Sequence, residues 1–130
     1  MNTDIIKIES EQYQAELEKH IPIEINSCIE KLTKLSFIHA RLGYMISKMK
    51  MYVRQIKADR LSTYTSTVKD NYLSAKMQDA LMDGFAISEV HLLETLQYQY
   101  NTCLVQMENC RTIISKEKEE MKLAGLVQQM

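Results

Sequence analysis

With 130 residues, one Pro, three Gly and no Trp among abundant Met, Leu, Ile, Lys, Glu and Gln, the chain reads as one nearly all-helical domain with no sheet. Its formal charge of −1 would exclude a polyanionic partner only if it were evenly spread, yet residues 1–30 carry −5, residues 31–60 +7, residues 61–110 −4 and residues 111–130 +1. Three cysteines without a CxxC pair, no signal-like N-terminus and no apolar run of about 18 residues argue against a disulfide scaffold, an exported protein and a membrane span, and for a reducing cytoplasm.

In chain order, Asn2 to Ile8 is expected to fray, with Ile5, Ile6 and Ile8 docking on the body. Ser10, followed by Glu11, Gln12 and a Tyr13, Leu17 spacing, predicts the cap of a short helix running to about Lys19 and closing the segment 1–21. Pro22 suits the first turn of a second helix, expected over 22–61. Its apolar seam steps by three and four through Ile25, Cys28, Leu32, Leu35, His39, Leu42, Ile46, Met49, Val53, Ile56 and Arg60. Such a rod is roughly 60 Å long and needs a partner of similar length to bury that seam.

The run Ser62 to Asn71 lacks helical period and is rich in residues that compete for backbone hydrogen bonds, so it predicts a loop. Asp70 or Ser74 then caps a short helix with the face Leu73, Met77, Ala80 and Leu81, ended by a left-handed Gly84, within the connector 62–87. Ser88 caps the last helix, 88–125, whose seam is Leu93, Leu96, Tyr100, Cys103, Met107, Cys110, Ile114, Glu117 and Met121. Gly125 ends it, and 126–130 is an apolar tail. The expected fold is all-α: a long antiparallel helical hairpin with short accessory helices and coiled-coil-like seams. Leu92, Leu104, Ile113 and Leu123 add apolar surface beside the second seam and predict a homo-oligomer.

No catalytic constellation can be read. Three glycines leave little material for a phosphate loop, no Gly-x-Ser-x-Gly elbow exists, and no cysteine has an activating neighbour. His20 has no helical metal-ligand spacing and His91 only a weak one to Glu94, so neither a metal nor any other cofactor is expected. His39 reads as a residue that sets register, and the cysteines as small buried hydrophobes. The expectation is a protein that is not an enzyme.

The informative feature is the basic block. Lys31, Lys34, Arg41, Lys48, Lys50, Arg54, Lys57 and Arg60 face only Asp59 within residues 31–60. Lys34, Arg41 and Lys48 share one heptad position, as do Lys50 and Lys57, so the charges run in lines that suit a phosphate backbone. Tyr44, Tyr52 and Tyr64 are interleaved as stacking platforms for bases. Two other readings stay open: a scaffold whose block docks on an acidic protein surface, and a membrane-surface protein. Self-neutralisation by Glu89, Glu94 and Glu108 of the last helix is the bland alternative.

The end of the basic helix reads Ile56-Lys57-Ala58-Asp59-Arg60-Leu61-Ser62-Thr63-Tyr64. It resembles the Leu-Lys-Ala-Arg element, followed by tyrosines, of the recombination mediator family of T4-type bacteriophages. Leu96-Gln97-Tyr98, and Arg111-Thr112-Ile113-Ile114 followed by Gly125, resemble later parts of that family. The resemblance implies a ring-like oligomer that binds single-stranded DNA and helps a RecA-type recombinase replace a single-strand-binding protein, in a host cytoplasm. It ranks Lys57 and Arg60 first as phosphate contacts. Asp59 within the element, a single following tyrosine and no following glycine depart from the family pattern.

Overall fold

The computed structural model describes the backbone of residues 1–67 and 75–129, and side chains through 64 and from 75 to 125. Four α-helices make up the described residues: α1 Thr3–Leu17, α2 Ile25–Thr67, α3 Ala75–Phe85 and α4 Ile87–Gln129. The two long helices pack antiparallel, α1 lies mainly on α4, and α3 lies on α2.

Heptad geometry explains the hairpin. Cys28, Leu35, Leu42 and Met49, seven apart, are all fully buried, as are Leu96, Cys103 and Cys110 on the facing helix. The expected seam is therefore in phase. It is also incomplete, because a second buried stripe follows Lys31, Ile38 and Met45 on α2 and Leu92 and Gln99 on α4. That stripe faces α1. Leu92, expected to mark an oligomer contact, instead belongs to this core at 6% exposure.

The N-terminus differs from expectation. Asn2, in extended conformation, accepts a hydrogen bond from the Asp4 amide at 3.0 Å, and this cap starts α1 seven residues before Ser10. Ser10 is not a cap: it sits mid-helix, buried, and donates to Gln99 Oε1 at 2.9 Å. Gln99 Nε2 donates in turn to the Ser10 carbonyl at 3.0 Å and to Gln14 Oε1 at 3.1 Å, and Gln106 Nε2 donates to the Leu17 carbonyl at 2.7 Å. The centre of the α1 contact is thus polar and built on amides.

Replacing Gln99 by Ala is expected to cost about 1–3 kcal/mol, since it strands the Ser10 hydroxyl in a buried site. Ser10→Ala combined with Gln99→Leu should recover most of that loss. Urea unfolding of the two variants checks the pair.

Pro22 precedes α2 instead of lying in its first turn, and its carbonyl accepts from the Cys28 thiol at 2.9 Å. At the far end, the loop expected from Ser62 is helix through Thr67, and residues 68–71 of that expectation lie outside the described residues. A helix already formed extends at little cost, and Thr63 satisfies its hydroxyl inside the helix by donating to the Asp59 carbonyl at 3.0 Å.

The proposed α3 caps Asp70 and Ser74, and Leu73, also lie outside the described residues. Met77 and Ala80 are exposed, and the packed side of α3 is Leu81, Met82 and Phe85 leading into the fully buried Ala86. Gly84 does not end α3, and Gly125 does not end α4, for neither has a positive φ. Ala86 joins the two helices and its carbonyl accepts from Val90 N at 2.8 Å, so α4 begins at Ile87, one residue before Ser88. The second seam loses its burial after Cys110: Ile114 and Glu117 are half-buried and Met121 is 59% exposed.

Candidate nucleic-acid interface

The basic block lies on α2, where a rotation of about 100° per residue decides which way each cation faces. Lys48 and Lys50, two apart, stand on opposite flanks. The line Lys34, Arg41, Lys48 borders the side that carries α1. The line Lys50, Lys57 borders the other, where Lys50 lines a groove with Gly43, Ile46, Gln97, Tyr100 and Asn101.

Among the described residues, three of the eight cations are answered within the chain. Lys31 is 6% exposed and donates to the Glu16 carbonyl at 2.7 Å and to Glu16 Oε1 at 2.9 Å. Hydrogen bonds from Lys19 and then Lys31 hold the Glu16 carboxyl below the usual carboxylate range. Arg41 meets Glu9 with both ends of its fork, Nε to Oε2 at 2.7 Å and a terminal nitrogen to Oε1 at 3.1 Å. Glu9 Oε2 also accepts from the Tyr13 hydroxyl at 3.0 Å, and burial followed by that carboxylate pushes the Tyr13 phenol up to about 12. Lys57 pairs with Asp83 of α3 at 3.2 Å, an exposed contact contributing about 0–1 kcal/mol.

The acids seen to answer the block among the described residues therefore come from α1 and α3. Among the described residues no ion pair joins it to Glu89, Glu94 or Glu108 of α4, the acids singled out in the sequence. The available signal was the −5 block immediately before the +7 block, with Glu9 and Glu16 one heptad apart.

Lys34, Lys48, Lys50, Arg54 and Arg60 are exposed and make no ion pair among the described residues. Tyr44 is 53% exposed, with the Arg41 guanidinium 5.1 Å and the Lys48 ammonium 5.5 Å from its ring centre. Tyr52 is half-buried and packs on the core, while Tyr64 is half-buried near the end of α2. Of the seam residues, Leu42, Met49, Val53, Leu96 and Met107 are buried, and Ile46, Tyr100 and Ile114 partly so. His39 stacks on Tyr100 with ring centres 4.1 Å apart.

All three cysteines are free and buried; burial raises each thiol, Cys103 to about 11, and Cys103 donates to the Leu35 carbonyl at 3.1 Å. Among the described residues no group of three His, Cys, Asp or Glu gathers as a metal site would require, and no helix is long and apolar enough to cross a membrane. Comparison with protein-family models, with curated proteins and with solved structures gave no match.

Proposed function

We propose that this protein binds single-stranded nucleic acid, without performing chemistry on it, along the exposed cations of α2. The observation that carries the reading is the surplus of charge: Lys34, Lys48, Lys50, Arg54 and Arg60 are exposed and unpaired among the described residues, with Asp59 the one acid between Lys31 and Tyr64. Tyr44, braced by two cations at its ring, supplies an aromatic platform beside them. The likeness of Ile56 to Tyr64 to the phage mediator element supports the same ligand and extends the proposal to an oligomer that loads a RecA-type recombinase in place of a single-strand-binding protein. Phe37, Met51 and Val105, each more than half exposed, are apolar surface that association of copies would cover.

The ion pairs of Arg41 and Lys57 with the chain's own acids favour a second reading, an adaptor whose remaining cations dock on an acidic protein. Salt separates the two. Neutralising Lys48, Lys50, Arg54 and Arg60 together to Ala should weaken binding of every single-stranded sequence alike and flatten the slope of log affinity against log salt by about 3 units, at about 0.7 for each phosphate contact. Lys57→Ala should change the slope far less. Binding that survives the fourfold change with its slope intact would overturn the proposal and leave the adaptor.

A further inference from the structure

The groove on the side of the hairpin away from α1 holds about 470 Å³ between α2 and α4. Gly43, Ile46 and Lys50 form one wall, and Gln97, Tyr100 and Asn101 the other. Two features of it bear on what it could hold. The first is Gly43, which sits inside a long helix where glycine is about 1 kcal/mol less favourable than alanine. It has no positive φ, and a Cβ added there would meet Tyr100 Cε2 at 3.5 Å, an ordinary contact. Neither backbone conformation nor helix packing requires glycine; what its missing side chain provides is depth in the groove.

The second feature is a set of unused polar groups. Gln97 and Asn101, four apart on α4 and so neighbours on its surface, make no side-chain hydrogen bond among the described residues, and Lys50 across the groove makes no ion pair. Two other amides of this helix, Gln99 and Gln106, are engaged with α1. Paired carboxamides that both donate and accept are the groups that match the edge of a nucleobase, and an ammonium beside them matches its phosphate.

We infer that this groove is a base pocket: it takes one nucleobase of a single strand, with Gln97 and Asn101 on the base edge, Gly43 leaving room for the ring and Lys50 on the adjoining phosphate. The inference rests on the proposed single-strand binding and adds to it a hydrogen-bonded contact to a base edge, where the cations of α2 address the backbone and Tyr44 only the face of a base.

The test compares an oligothymidylate of roughly 15 nucleotides with an abasic strand of the same length, by fluorescence anisotropy at fixed salt. The wild-type protein should prefer the thymidylate at least about fivefold, and Gln97→Ala with Asn101→Ala should cut that preference to the part that stacking on Tyr44 supplies while leaving abasic binding unchanged. Gly43→Ala gives a second arm that a loss of folding cannot imitate: the melting temperature should rise by about 2–5 °C while the preference for thymidylate falls. Equal affinity of the wild-type protein for both strands would overturn the base pocket and leave the backbone track standing. Preference unchanged in both variants would overturn it as well. Binding of neither strand would overturn the pocket together with the function on which it rests.

Discussion

Lys31→Ala is expected to cost about 3 kcal/mol and to loosen α1 before the rest of the hairpin melts. The ammonium is 6% exposed and bonds both the Glu16 carboxylate and the carbonyl of the same residue in the last turn of α1. Breaking such a pair strands a carboxylate at a site only 16% exposed and leaves a helix-end carbonyl short of its strongest donor. Lys19 still reaches Glu16 at 2.9 Å, which holds the cost to the low end of the range for a buried pair. Lys31→Met with Glu16→Gln keeps the volume and removes both charges, so it should recover most of the loss. Urea unfolding measures the totals, and the relative cost of the single and double changes tells charge from packing.

Leu42→Ala should cost about 3–5 kcal/mol and lower the melting temperature by roughly 10–15 °C. Leu42 is fully buried in the middle of the contact between α2 and α4, where neither long helix can collapse into the space that the change leaves. Met51, nine residues along the same helix, is 68% exposed, and Met51→Ala should stay within about 0.5 kcal/mol. Similar effects at the two positions would mean that α2 is not held in this rotational setting against α4. Calorimetry or thermal circular dichroism of the two variants decides it.

The hairpin was legible because its central seam repeats every seven residues in apolar side chains, and Leu35, Leu42, Cys103 and Cys110 needed nothing but that period to be placed. The third layer was not legible. Its stripe on α2 begins with a lysine and its stripe on α4 centres on a glutamine, and neither residue reads as core until the groups that satisfy them are known to arrive from α1. The same blindness affected the site. A count of charge finds eight cations on one helix, but which of them are neutralised depends on Glu9, Glu16 and Asp83, which tertiary packing brings there. Errors at helix ends have a simpler origin: Ser, Thr and Gly only weaken a helix, and where α2 and α4 already extend from a packed hairpin that weakness does not stop them.

α4 outlasts its support. From Lys118 to Ala124 every side chain is exposed, so about 10 Å of the helix has lost the shelter of the core. Backbone amides there are hydrogen-bonded but shielded by nothing above them, and the free energy needed to open them is close to zero, whereas those between Leu96 and Cys110 open only with the whole hairpin. Hydrogen exchange along this one unbroken helix would therefore span nearly the full range that the molecule can show. The end that fills first with deuterium is also the segment where a binding partner would gain most by supplying the missing side of the helix.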